Sequence, residues 1–77
     1  MKRGKLAQSF GQIIKTHRGA TGLSQEDFAD RCGLHRTYVG SIERGEKTVT
    51  IETANKLAQA LGVPLSKLIA EAEKLGK

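Results

Sequence analysis

Apolar residues recur three and four apart along most of the chain, with polar residues between them, which is the spacing of amphipathic helices. No segment alternates apolar and polar residues as a half-buried strand would. A first helix is predicted from about Ala7 to about Arg18, with Phe10, Ile13, Ile14 and His17 on one face and Gly19 to Gly22 ending it. His17 stands where an apolar residue belongs. Ser24 opens a second helix, since its hydroxyl can accept from the free amides of the first turn while Asp27 answers three residues later. Phe28 and Ala29 then face inward, and Cys32-Gly33-Leu34 forms a tight turn in which Gly33 adopts a positive φ at low steric cost. A third helix follows from about His35 to Arg44, burying Val39 and Ile42, and Gly45 stops it. Thr50 caps a fourth, with Ile51, Ala54, Leu57, Ala58 and Leu61 as its stripe. Gly62 and Pro64 break that helix and start a fifth, striped by Leu65, Leu68, Ile69 and Ala72. The expected fold is all-α, a compact five-helix bundle.

Composition narrows this picture. A chain of 77 residues holds one core, so residues 1–77 are expected to form a single domain. With 38% hydrophobic residues, no Trp, two Phe and one Tyr, the core must be built mainly from Leu, Ile, Val and Ala. Its stability margin should be thin, which favours self-association. The net charge of +5 suits a polyanionic partner. Residues 1–22 carry five bases and no acid, so the excess sits there. Lys2, Arg3, Lys5, Lys15 and Arg18 suit phosphate contacts or steering, and a solvated tail explains the same run equally well. A single cysteine, Cys32, excludes an intramolecular disulfide and fits a reducing compartment. No apolar run approaches a membrane span and the basic start lacks a signal peptide's apolar stretch, so a cytoplasmic protein that does not enter membranes is expected.

Two short helices joined by a glycine turn, at about residues 24–44, match what a DNA-reading helix-turn-helix requires. Ala29 is small where the helices approach, Gly33 makes the turn, and Val39 with Ile42 anchors the third helix, leaving its opposite face free. The stretch from Leu23 to Gly45 resembles the helix-turn-helix of Cro and lambda-type repressors, the XRE family. Phe10-Gly11, Leu23-Ser-Gln-Glu-Asp-Phe-Ala29, Gly33-Leu-His-Arg-Thr-Tyr-Val39 and Ile42-Glu-Arg-Gly45 are especially similar to controller proteins of restriction-modification systems. His17 departs from the Leu or Ile usual in that family.

The resemblance implies a lambda repressor-like DNA-binding domain and a role for each matching residue. Arg36, Thr37 and Ser41 fall on the base-reading face, where the guanidinium of Arg36 can donate two hydrogen bonds to guanine O6 and N7. Gly40 leaves room for close approach. Gln25 matches a backbone phosphate contact at the start of the second helix, and His35 either caps the third helix or reaches the backbone. Tyr38, Arg44 and Lys47 complete the clamp on the sugar-phosphate chain. Glu43 pairs structurally with Arg18. Plainer readings compete: an exposed Arg, Thr or Ser is what any soluble helix carries, and Tyr38 equally suits the edge of the core.

One helix reads too few base pairs to be selective, so a homodimer on a pseudo-palindromic operator is expected, its recognition helices roughly 34 Å apart. Val63, Leu65, Leu68 and Ile69, within a dimerisation region of about residues 50–75, are the candidate interface, with intramolecular core as their competing role. The resemblance further implies regulation of the protein's own gene and of a restriction endonuclease gene, with RNA polymerase as a further partner where it activates. The rival function is an antitoxin-type module that sequesters a toxin. Cys32, His35 and His17 fall short of four well-placed zinc ligands, and no orienting group supports a Cys-His nucleophile, so no cofactor, metal or enzymatic activity is expected. Cys32 reads as a small buried filler.

Overall fold

The computed structural model describes residues 5–76, so Lys2 and Arg3 lie outside the described residues. Among the described residues five helices follow one another: α1 (Lys5–Thr21), α2 (Gln25–Cys32), α3 (Arg36–Glu43), α4 (Ile51–Leu61) and α5 (Leu65–Leu75). No strand occurs among the described residues. Each boundary has a local cause. Ser24 and Thr50 accept from the backbone amides of Asp27 and Thr53 at 3.0 and 3.1 Å, which caps α2 and α4. Pro64 precedes α5, where its fixed φ suits helix entry. α1 is longer than the sequence pattern suggests, because Gly19, Ala20 and Thr21 continue it and the stop comes at Gly22.

The core is a single cluster. Phe10 and Ile14 of α1, Phe28 and Ala29 of α2, Val39 and Ile42 of α3, Ala54, Leu57 and Ala58 of α4, and Leu68 and Ala72 of α5 are all buried. α1 crosses the bundle and packs along α5 and α3. Its approach to α3 depends on Gly11, since a Cβ there would overlap the carbonyl oxygen of Ile42. His17 half-buries its ring on this apolar face, and its Nε2 lies 2.8 Å from a carboxylate oxygen of Glu71 on α5, so a polar contact closes the gap that a Leu or Ile would fill.

Two apolar assignments change. Leu68 is fully buried within the chain, so it has no surface to offer a second copy and belongs to the core instead of an interface. Ile51 is 76% exposed although it continues the spacing of Ala54, Leu57 and Leu61. It occupies the first turn of α4, where side chains lean toward the helix start and so project past the edge of the core.

Candidate nucleic-acid interface

The turn between α2 and α3 consists of Gly33, Leu34 and His35. Gly33 sits at φ 71°, a left-handed conformation that costs glycine little, and its amide and that of Leu34 return to the carbonyls of Asp30 and Ala29. The His35 Nδ1 accepts from the amide of Thr37 at 3.1 Å, so that ring caps α3. Ala29 and Val39, 1% and 0% exposed, fill the angle between the helices. The buried side of α3 is thereby pinned, and Arg36 and Thr37 stand exposed on the other side.

A buried carboxylate holds this unit to α1. Glu43, at the end of α3, accepts from Nε and a terminal nitrogen of Arg18 at 2.7 and 3.1 Å and from the side-chain amide of Gln25 at 2.9 Å. Arg18 also donates to the carbonyl of Leu23 at 2.9 Å. Side-chain exposure is 2% for Glu43 and 15% for Arg18. The carboxylate's hydrogen bond and charge hold the Arg18 guanidinium above its ordinary pKa, outweighing its partial burial. The three bonds link α1, the start of α2 and the end of α3. Arg18 is therefore spent on structure, which removes it from the candidate phosphate contacts.

Ser24, Gln25, Glu26, Arg36, Thr37, Gly40 and Arg44 line one shallow groove across α2 and α3. Four of the residues expected to face DNA thus converge there: Gln25, Arg36, Thr37 and Arg44. The half-buried Ser41 adjoins them, its hydroxyl 3.5 Å from the Arg44 guanidinium. The space above Gly40 is shared with the flexible ends of Arg44 and Gln25. Tyr38 packs half-buried against the core, and Lys47 lies apart, on the rim of a cleft described below. Two carboxylates unforeseen from the pattern enter this surface. Glu46 takes two hydrogen bonds from Arg44 at 3.0 and 3.2 Å and raises its pKa, and Glu26 lies 3.9 Å from Arg36. The proximity of Glu46 to Arg44 in sequence was the available signal for the first pair.

Elsewhere, an apolar cleft of about 400 Å³ opens between the first turns of α1, the loop before α4, and α5. Leu6, Phe10, Val49, Ile51, Leu65 and Ile69 line it, with Lys47 and Thr48 at its edge. Burial pushes the Cys32 thiol up to about 11, which keeps it protonated and a poor nucleophile. No helix among the described residues is long and apolar enough to cross a membrane.

A capped helix pair with a glycine turn, a pinned inner face and a polar outer groove defines a helix-turn-helix regulator of the XRE type. A family model described as helix-turn-helix matches residues 14–68, and the chain belongs to that family of DNA-binding transcription regulators. Within it, the chain is 46% identical over 64 residues to the control protein C.SmaI of Serratia marcescens, covering 83% of this chain and 76% of that protein. It is 44% identical over 55 residues to control protein C.BamHI of Bacillus amyloliquefaciens, covering 70% and 68%. The crystal structure of the restriction-modification controller protein C.AhdI from Aeromonas hydrophila superposes with a TM-score of 0.78 at 44% identity, covering 80% of this chain and 94% of that one. The chain is thus closely related to restriction-modification control proteins, and its relatives are transcription regulators, not enzymes.

Proposed function

We propose that this protein is a sequence-specific controller-type regulator that binds a pseudo-palindromic operator as a homodimer. The observation that carries the reading is the groove over α2 and α3. It gathers Gln25, Arg36, Thr37 and Arg44 on a surface whose opposite side is locked into the core. Arg36 and Thr37 read base edges, with Ser41 beside them. Gln25, whose helix start is polarised positively, contacts the sugar-phosphate chain together with Arg44, Lys47 and the polar edges of His35 and Tyr38. Dimerisation uses the apolar cleft. Leu65 and Ile69 line it with Leu6 and the protruding Ile51, and half-buried Val63 lies close by in sequence. Covering Ile51 alone is worth about 1.5 to 3 kcal/mol per protomer. Relatives that are restriction-modification control proteins support regulation of such a system.

Selection of bound sequences from random duplex DNA at physiological salt, followed by the stoichiometry of the enriched complex, tests this. A two-fold symmetric site holding two copies is expected. Arg36→Ala should cost about 1 to 3 kcal/mol and relax preference at one base position, whereas Lys47→Ala should weaken all sequences alike. Ile51→Glu should leave the monomer folded and abolish two-copy binding. An absence of enrichment, with only weak salt-sensitive binding, would overturn the reading and point to a protein partner.

A further inference from the structure

A second polar groove adjoins the first on the side of α1. Gln8, Gln12, Lys15, Thr16 and Gly19 of α1 form one wall of it, and Glu43 and Arg44 form the other. Positions 8, 12, 15 and 19 fall on one helical face, which runs for about 16 Å. Arg44 lines both grooves, so the α1 surface is continuous with the base-reading surface.

Its electrostatics suit a polyanion. α1 contains no acidic residue. Among the described residues the one carboxylate lining the groove is Glu43, whose side chain is only 2% exposed and accepts from Arg18 and Gln25. Glu46 lies beyond it, holding Arg44. Lys15 is exposed and makes no ion pair among the described residues, while the side chains of Gln8 and Gln12 are exposed amide donors one turn apart. Gly19 leaves the end of the groove open, with nothing within 4 Å of where its Cβ would be.

We infer that this face of α1 is a phosphodiester-binding site, which carries the DNA backbone past the base pairs read by α3, with Lys15 as its cation and Gln12 as its neutral donor. The inference rests on the operator-binding reading above. A cation that neutralises one phosphate contributes about 0.9 to the slope of log affinity against log salt, and a dimer presents it twice.

The test is the salt dependence of binding to the selected operator, compared among the wild type, Lys15→Ala, Gln12→Lys and Arg36→Ala. Lys15→Ala should flatten the slope by about two per dimer and leave base preference intact. Gln12→Lys should steepen it by a similar amount, and neither exposed position threatens the fold. Ethylation interference on the operator should lose a phosphate in Lys15→Ala that the wild type requires. If Arg36→Ala relaxes base preference while Lys15→Ala and Gln12→Lys keep the wild-type slope, the α1 site is refuted and the operator reading stands. If the wild type selects no operator, both fall together.

Discussion

Replacing Glu43 by Ala removes the acceptor on which Arg18 and Gln25 converge, and it leaves a guanidinium with a side chain 15% exposed facing a hole. Breaking a buried ion pair from one side costs about 3 to 5 kcal/mol, because the remaining charge is neither paired nor hydrated. A domain of this length has roughly 4 to 12 kcal/mol of stability in all. Glu43→Ala should therefore forfeit at least about a quarter of the stability at 25 °C. The double variant Arg18→Met with Glu43→Leu removes both charges and keeps most of the volume, so it should recover about 2 to 3 kcal/mol relative to the single variant. Full recovery is not expected, since the Gln25 amide loses its acceptor and the Leu23 carbonyl its donor. Urea unfolding followed by far-ultraviolet circular dichroism at pH 7 measures these differences, at one protein concentration because association with a second copy adds apparent stability. A loss below about 1 kcal/mol for Glu43→Ala would refute the reasoning, as would a double variant no more stable than the single one.

Gly11→Ala should destabilise by about 3 kcal/mol, because its methyl group meets the Ile42 backbone, which cannot rotate away. Gly33→Ala should cost only about 1 to 2 kcal/mol, the strain of a left-handed φ in open space, and thermal melts should rank the two in that order. Glu46→Gln should free the Arg44 guanidinium and raise affinity for all duplexes several-fold without changing base preference, as read by fluorescence anisotropy; unchanged affinity would show that the pair does not restrain Arg44. The hydrogen bond from His17 holds the Glu71 carboxyl below its ordinary pKa, helped by Lys67 and Lys74. Its stabilisation is complete above the unfolded value of about 4.3 and is lost as pH falls through the lower folded value. Melting curves of the wild type and Glu71→Gln should thus converge on acidification, and a constant difference would contradict the contact.

How much of this was legible depends on the range of the interaction. The five helices and their caps follow from neighbours: Ser24 and Asp27 lie three apart, Thr50 and Thr53 likewise, and Gly33 needs only its own φ. Val39 and Ile42 were readable as the inner face of α3 because a 3.6-residue period leaves little freedom. The contacts that the pattern does not reveal join distant segments. His17 finds Glu71 54 residues away, and Gln25 finds Glu43 18 residues away, through helix crossings that no local spacing encodes. Periodicity also sorts residues by face without saying how deep that face lies. Ile51 and Leu68 both sit on apolar stripes, yet one projects beyond the core and the other sits at its centre.

The same arithmetic explains why the reading surface needs so much support. α3 spans eight residues, well short of the roughly 12 to 15 at which an isolated helix becomes marginal in water. Its helicity and its orientation therefore come from packing: Val39 and Ile42 set the rotation of α3 about its axis, and the Glu43 junction fixes its end against α1 and α2. On the proposed reading, a base-reading arginine gains specificity only if its helix presents it at one angle, so the buried residues that hold α3 would carry part of the recognition. The double variant of Arg18 and Glu43 separates these contributions. It keeps a core but releases Gln25 from its acceptor, so it should remain folded while losing operator preference more than general DNA affinity. Should it keep full preference, the apolar packing of α3 alone would be sufficient to aim Arg36.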